Sequence, residues 1–304
     1  MKRFYFAITF FILPVIVFMG GAEYVVRQIP NEYKYKNDWM EQHAEEVETL
    51  ILGNSHTELG LCPETFGDHC FNLAISGRTP KYDEFMLEKW ADRFRNLKLV
   101  IMPISYFSFF YKEPLGMNNG PTLYKIYFDY PEHSDYSLYN IETLFFKGVH
   151  AKVHSYLNNI VKYDEKGWVE ASLDLKDSLY WENNETVKVI LNGTTARSDT
   201  YVEENYNYVC NMAVFCKSRC IRLVFISTPI WHTYSNRMDK KQLATTYSKM
   251  TEIQKKFGIE FYDYRDDQRF VDDDFIDVQH LSSKGARKFS NILLKDHIVK
   301  EVNL

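Results

Sequence analysis

A serine, an aspartate and a histidine at two distant places in the chain are residue types that nucleophilic catalysis requires. Ser55 lies directly after the apolar run Leu50-Ile51-Leu52, within Gly53-Asn54-Ser55-His56. Asp277-Val278-Gln279-His280 comes before Leu281-Ser282-Ser283, which is typical of a loop that enters a helix. A serine hydroxyl becomes a nucleophile when an imidazole accepts its proton, and an acid must hold that imidazole in the right tautomer. The two segments together predict Ser55 as nucleophile, His280 as base and Asp277 as the orienting acid.

Each of these residues also has a simpler interpretation. Ser55 suits the N-cap of a helix that follows the first strand, because serine is a favoured capping residue. The acidic run Asp272–Asp274 offers alternatives to Asp277, although such a run is typical of a solvated turn. His56 is adjacent to the nucleophile in sequence, so we expect it to be structural or to face the substrate rather than to act as a second base.

The elements that must position these residues alternate between strands and helices. Apolar runs predict five strands, at Leu50–Leu52, Phe71–Ala74, Leu97–Pro103, Ile221–Ser227 and Glu260–Asp263. Helices are predicted from Thr79-Pro80, over Glu204–Lys217 and Lys240–Phe257, and from Ser283 onwards. Continuously apolar strands between helices indicate a parallel sheet that is buried on both faces. Ligands of such sheets bind at the carboxyl ends of the strands, where the sequence places Ser55, Gly77, Ser105, Thr228 and the Asp277–His280 loop.

The chain has 304 residues, enough for one substantial α/β domain with insertions. We predict a membrane segment over 1–26, a linker over 27–46 and the α/β domain over 47–304. From about 105 to 200 the strand–helix alternation stops and the sequence is rich in Tyr, Phe, Asn and Asp. Ordered loops are usually far shorter, so this stretch is predicted to be an insertion with structure of its own.

The N-terminus predicts an association with a membrane. Lys2 and Arg3 precede an almost unbroken apolar run from Phe4 to Ala22, and about 20 residues of helix span a bilayer core. The alternative is a signal peptide that is cleaved near Gly20-Gly21-Ala22. We predict an uncleaved anchor, because the run is longer than the apolar core of a usual signal peptide. In either case the remainder of the chain is expected to be exported, with the positive end inside.

Composition narrows the classes of partner and cofactor. The net charge is −5 and no basic cluster is interleaved with aromatics, so a nucleic-acid partner is not expected. The chain has 5 cysteines, without a Cys-x-x-Cys pair or a His-rich spacing, so neither a metal nor an organic cofactor is expected. A Cys62–Cys70 disulfide and free buried thiols are both compatible with the sequence.

These motifs, in this order, resemble the SGNH/GDSL hydrolase superfamily. Gly53-Asn54-Ser55 stands where that family typically has Gly-Asp-Ser, and Asp277-x-x-His280 matches its last block. The resemblance implies a three-layer, flavodoxin-like parallel sheet and an oxyanion hole that includes the backbone N–H groups of Ser55 and Gly77. The family's third block supplies an Asn after the third strand. Here that position has no Asn, and Ser105 is the candidate donor in its place.

Within the superfamily, an anchor followed by an exported domain resembles proteins that modify surface polymers, such as polysaccharide O-acetyltransferase-like proteins and the D-alanyl transfer protein. We therefore predict an extracytoplasmic serine esterase or O-acyltransferase that acts on acyl esters of a surface glycan. Arg78, His56 and His232 are candidate substrate-binding residues. The alternative function is a non-catalytic accessory protein, which binds a polymer or a membrane-protein partner.

Overall fold

The computed structural model describes residues 2–112, 120–131, 138–144, 146–160, 163–171, 184–296 and 298. The chain divides into two compact units. One contains Met1–Asp38 and Met117–Lys162, and the other contains Trp39–Gly116 and Tyr163–Leu304. Part of the segment predicted as an insertion therefore groups with the N-terminal helix, while other parts of it lie outside the described residues.

The larger unit is built on a parallel sheet of five strands in the order β2-β1-β3-β4-β5. The strands are β1 (Thr49–Ile51), β2 (Cys70–Asn72), β3 (Leu99–Pro103), β4 (Arg222–Ser227) and β5 (Glu260–Asp263). Leu50 pairs with Phe71 on one side and with Val100 on the other, and Val100 in turn pairs with Leu223. These four side chains are buried, as the continuously apolar runs predict.

Two helices precede the first strand, and the others connect the strands or follow the last of them. In chain order they are α1 (Lys2–Gln28), α2 (Glu32–His43), α3 (Ser55–Glu58), α4 (Pro80–Lys89), α5 (Gly120–Phe128), α6 (Phe146–Leu157), α7 (Asn184–Thr194), α8 (Val202–Ser218), α9 (His232–Ser235), α10 (Lys240–Phe257) and α11 (Ser283–Lys295). Short 3₁₀ turns lie at Pro63–Phe66, Leu138–Asn140, Glu142–Leu144 and Asp272–Asp274.

The strand order requires helices on both faces of the sheet. The β1–β2 connection runs in one direction and the later connections run in the other, so right-handed crossovers place them on opposite faces. Accordingly, α4 packs on α8 and α8 packs on α10, whereas α11 packs on the Pro63–Phe66 turn of the β1–β2 connection. The predicted three-layer α/β fold is confirmed, and the observed strand and helix bounds lie within a few residues of the predicted ones.

The smaller unit is held by a buried polar network. The Glu142 carboxylate, which is buried, accepts hydrogen bonds from the Tyr127 hydroxyl at 2.7 Å and from Lys152 Nζ at 2.9 Å. Glu23, near the end of α1, accepts from the backbone N–H groups of Glu142 and Thr143, both at 2.9 Å. This network ties the end of α1 to α5 and α6.

The first helix is long and apolar enough to cross a membrane over Phe10–Gln28. Among its described residues, large apolar side chains are exposed, Phe11 by 72% and Phe18 by 76%. Such exposure is typical of a helix that contacts lipid or packs against another protein. The five cysteines are all free in the structure, and Cys62 and Cys70 are buried as thiols. The disulfide considered between those two residues is therefore not formed.

Candidate active site

The turn after β1 presents Ser55 at the carboxyl edge of the sheet. Asn54 adopts an extended conformation and caps α3, because its side-chain oxygen accepts a hydrogen bond from the His56 N–H at 3.0 Å. The Gly53 N–H donates to Asp83 Oδ1 at 2.9 Å, which anchors the start of the turn. Ser55 is therefore the first residue of a capped helix, and its hydroxyl points out of the sheet edge toward His280, where the two side chains are hydrogen-bonded.

The turn requires glycine at position 53. Gly53 has φ +113, a backbone conformation that residues with a side chain rarely adopt. A Cβ atom there would lie 2.1 Å from the Cδ of Pro103, at the end of β3. The close approach of these two segments brings the β1 turn against the end of β3 and leaves no room for a side chain.

Ser55, His280 and Asp277 form one hydrogen-bonded chain. His280 Nε2 lies 2.8 Å from Ser55 Oγ, and His280 Nδ1 lies 2.8 Å from Asp277 Oδ2. Asp277 Oδ1 also accepts from the backbone N–H groups of Gln279 at 2.7 Å and of His280 at 2.9 Å. This geometry places Nδ1–H on the carboxylate and leaves Nε2 free to accept the serine proton.

The electrostatics of Asp277 suit an orienting carboxylate. Burial favours its neutral form, but the His280 imidazole and the hydrogen bonds outweigh that effect, and the pKa of Asp277 is lowered. The alternative acids upstream are engaged elsewhere. Asp274 accepts from Lys288 Nζ at 2.6 Å, and Asp273 pairs with Lys284 at 3.3 Å. The structure therefore brings Asp277, and neither Asp273 nor Asp274, to His280.

Gly77 lies in a turn beside the nucleophile loop. The Arg78 N–H donates to the Ile75 oxygen at 3.1 Å, and Gly77 has φ +74, which is the third position of a type II turn. The Ile75 N–H donates to the Gly53 oxygen at 3.0 Å, so the turn is attached to the segment that precedes Ser55. The positive φ therefore explains why a glycine stands at position 77, and the turn places this glycine beside the nucleophile loop.

Ser105 is the candidate oxyanion donor in place of the family's Asn. In the structure it is buried, and its Oγ accepts a hydrogen bond from Asn54 Nδ2 at 3.3 Å and lies 3.2 Å from His56 Nδ1. The hydroxyl is therefore hydrogen-bonded within the protein, between the segments that follow β1 and β3. Its role as an oxyanion donor stays a prediction.

Arg78 also differs from the prediction that it binds an anionic substrate group. Its side chain is fully buried and pairs with Asp83, with Nη1 3.3 Å from Oδ1. Burial raises the pKa of Asp83 to about 6, against the opposing charge of Arg78. Because Asp83 also accepts from Gly53, this ion pair supports the nucleophile turn from beneath and is not open to a ligand.

The two candidate histidines lie in contrasting environments. His232 is exposed at the start of α9, and the neighbouring Trp231 N–H donates to the Val278 oxygen at 2.9 Å, so His232 lies beside the Asp277–His280 loop. His56 is buried, with its Nδ1 3.2 Å from Ser105 Oγ and 3.1 Å from Thr228 Oγ1. Burial, and next the neighbouring His280, lower the pKa of His56 to about 3, so its ring is neutral near pH 7.

Asn54 and Asp83 received no role at the site from the sequence, and Thr228 was placed at the sheet edge without a role there. The capping preference of Asn was the available signal for Asn54, and the strand-end position was the signal for Thr228. Asp83 carried none, because it looks like an ordinary residue of the first turn of a helix. Over the described ranges no group of three or more His, Cys, Asp or Glu side chains has the arrangement of a metal site. The absence of a cofactor stays a prediction.

Comparisons with known proteins give structural neighbours only. No family model matches the chain, and no curated protein matches it significantly. A provisionally assigned acylhydrolase from Bacteroides fragilis superposes with a TM-score of 0.44 at 12% identity, covering 87% of this chain and 95% of that one. A GDSL-like lipase from Bacteroides thetaiotaomicron gives 0.42 at 11%, covering 89% and 99%. A lipase/acylhydrolase from Enterococcus faecalis gives 0.37 at 12%, covering 84% and 95%.

These neighbours are described as acylhydrolase and GDSL-like lipase chains. With so few identical residues and such TM-scores, they decide neither the reaction nor the substrate of this protein. The class of the protein follows instead from its own structure. It is a doubly wound α/β protein with a Ser–His–Asp constellation at the carboxyl edge of its sheet.

Proposed function

We propose that this protein is a membrane-anchored serine esterase or O-acyltransferase of the SGNH type. The observation that carries the proposal is the unbroken hydrogen-bonded chain from Ser55 through His280 to Asp277, with 2.8 Å at each link. Such a constellation recurs on unrelated folds as the machinery of acyl transfer, and it is recognised by geometry and not by sequence position.

The geometry supports a two-step reaction. In the first step Ser55 Oγ attacks the ester carbonyl and its proton passes to His280 Nε2. The tetrahedral intermediate then expels the alcohol, which leaves with that proton, and the acyl group stays on Ser55. In the second step water or a sugar hydroxyl attacks the acyl-enzyme and gives its proton to His280 Nε2. The bond between the acyl carbon and Ser55 Oγ then breaks, and Ser55 takes the proton back from His280 as the product leaves. Asp277 holds the Nδ1–H throughout and stabilises the imidazolium.

The carbonyl oxygen becomes negatively charged in the tetrahedral intermediate, and hydrogen-bond donors must stabilise that charge. The backbone N–H groups of Ser55 and Gly77 are the candidates in this proposal, since the Ser105 hydroxyl is hydrogen-bonded within the protein. The loss of one oxyanion donor typically costs about 10²–10³ in kcat. We therefore expect a slower esterase than a relative with a complete third block.

The location and the substrate class form the finer part of the proposal. The apolar helix over Phe10–Gln28 supports an anchor, which would place the sheet domain outside the cytoplasm next to the cell surface. Esters on a surface polysaccharide are then the substrates within reach, and the acceptor is either water or a glycan hydroxyl. The likeness of this layout to polymer-modifying branches of the superfamily is the reason for choosing a glycan.

A second candidate is a non-catalytic accessory protein on the same fold. The specific observation that favours it is the absence of Asn after β3, together with the internal use of the Ser105 hydroxyl. Such a protein would bind a surface polymer or a membrane-protein partner, and its Ser55 would not react.

Turnover of p-nitrophenyl acetate by the full chain in detergent tests the proposal. We expect turnover that is lost in Ser55→Ala and His280→Ala and retained in the matched controls Ser218→Ala and His154→Ala, whose side chains are exposed. A fluorophosphonate probe should label the wild type and not Ser55→Ala, because only an activated serine reacts. The enzyme function would be rejected if the folded wild type turned over no faster than Ser55→Ala and was not labelled. The non-catalytic accessory function would then remain. Circular dichroism establishes that the proteins are folded.

A further inference from the structure

A second histidine, His56, packs against the hydrogen-bonded chain of Ser55, His280 and Asp277 and has no part in the reaction described above. The His56 and His280 rings lie 5.5 Å apart between centroids and are nearly perpendicular, at 86°. On another side, the His56 ring meets Phe107 edge-on, with 5.6 Å between centroids. The buried His56 ring therefore packs on Phe107 and on the His280 imidazole, which must reach Ser55.

Hydrogen bonds hold the His56 ring at its Nδ1 side. The backbone N–H of His56 donates to Asn54 Oδ1, which orients the Asn54 amide and makes Nδ2 the donor to Ser105 Oγ. Ser105 Oγ lies 3.2 Å and Thr228 Oγ1 lies 3.1 Å from His56 Nδ1, both within hydrogen-bond distance. Two hydroxyls therefore hold Nδ1, whichever nitrogen carries the proton of the neutral ring.

Hydrogen bonds fix one side of the His56 ring, and another side packs against the Asp277–His280 loop. Nδ1 is held by Ser105 and Thr228, which follow the adjacent strands β3 and β4. Nε2 is buried, and the Gln279 side chain of the catalytic loop interacts with the ring by a hydrogen bond that raises the pKa of His56 against the effect of burial. The ring therefore contacts the catalytic loop through Gln279 and through its perpendicular packing on His280.

We propose that His56 is a positioning residue, whose ring, fixed by Ser105 and Thr228, is the surface that holds the His280 imidazole against Ser55. This inference rests on the proposed esterase function. It differs from the sequence-based prediction that His56 binds substrate, because His56 is buried behind His280 and acts through it. A misplacement of about 1 Å in a reacting group can cost about 10²-fold in rate, which sets the scale of the effect.

The charge state of the ring supports this role. Burial keeps the pKa of His56 near 3, so the ring does not compete with His280 for the serine proton or repel the imidazolium. The ionisable groups around the ring are those of the catalytic loop, those that line the small cavity beside it and one on its own helix: Asp277, His280, Tyr106, Tyr247, Arg265 and Glu58. The acid limb of the activity profile should therefore not report the ionisation of His56.

Two variants separate the ring from its hydrogen bonds. His56→Asn keeps an acceptor near the position of Nδ1 and removes the part of the ring that meets His280. His56→Phe keeps a ring against His280 and removes the hydrogen bonds to Ser105 and Thr228. We expect His56→Asn to lower kcat for p-nitrophenyl acetate by about 10- to 100-fold with an unchanged KM. We expect His56→Phe to lower kcat by less than His56→Asn does, with an unchanged KM and the wild-type acid-limb pKa, and fluorophosphonate labelling rates should follow kcat in both.

Circular dichroism and thermal unfolding identify any variant that fails to fold. Each variant preserves a different part of the His56 side chain and has its own overturning outcome, so either one, if it folds, tests the proposal. The proposal is overturned if folded His56→Asn has the wild-type kcat, if folded His56→Phe is as slow as Ser55→Ala, or if either variant raises KM without lowering kcat. A wild type no faster than Ser55→Ala would instead reject the esterase function itself, so the two failures are distinguishable.

Discussion

Replacement of Asp277 by Asn tests the orientation of the catalytic imidazole most directly. The two Asp277 oxygens lie 2.8 and 3.0 Å from His280 Nδ1, and Oδ1 also accepts two backbone N–H groups. In Asp277→Asn the amide oxygen will keep the backbone bonds, so the NH₂ group must face Nδ1. Nδ1 then becomes an acceptor, its proton moves to Nε2, and Nε2 can no longer accept the proton of Ser55.

The expected loss follows from this change of tautomer. The corresponding change in a serine protease triad lowers kcat by about 10⁴, and each tenfold is about 1.36 kcal/mol, so we expect about 5 kcal/mol of lost transition-state stabilisation. The assay is p-nitrophenyl acetate turnover at pH 7–8, with Asp273→Asn as the matched control, since Asp273 is exposed and pairs with the Lys284 ammonium at 3.3 Å. The reasoning is refuted if folded Asp277→Asn retains more than about a tenth of the wild-type kcat/KM.

The same variant has a signature in stability against pH. The pKa of Asp277 is lowered in the folded protein, so the folded state binds fewer protons there than the unfolded chain, whose Asp has a pKa of about 3.9. The stabilisation from Asp277 is therefore complete above that value and is lost as the pH falls through the folded pKa. We expect the difference in unfolding free energy between wild type and Asp277→Asn, measured with urea, to shrink below about pH 4.

Two further predictions concern the turn that presents the nucleophile. Gly53→Ala combines a strained φ with a Cβ 2.1 Å from Pro103, and should lower the free energy of unfolding by about 2–5 kcal/mol. Gly67→Ala, with φ +110 and open space, is its control in urea unfolding, and equal losses would contradict the clash. Asp83→Asn breaks the buried pair with Arg78 and should cost about 3–5 kcal/mol. A loss below about 1 kcal/mol, the scale of an exposed pair, would show that this ion pair does not support the turn.

The elements of the sheet domain were predictable because their signals are local. Apolar runs between helical patterns located all five strands, and Lys240–Phe257 and Glu260–Asp263 were predicted with their observed bounds. Asp277 and His280, the acid and base of the proposed mechanism, were also within reach of the sequence, because a three-residue spacing lets one loop bring both side chains together. Ser55 needed only the rule that the carboxyl ends of parallel strands share an edge.

The tertiary structure alone decided which polar groups are open to a ligand. Arg78 and Ser105 looked accessible in sequence, yet both are buried, because segments distant along the chain close over them. His56 shows the reason most clearly, since its Nδ1 is held by Ser105 from β3 and by Thr228, 172 residues away, from β4. The residue types and their order determined which chemistry the chain can perform. The packing of distant segments determined which side chains meet the substrate and which hold the others in place, because burial depends on contacts that no local pattern encodes.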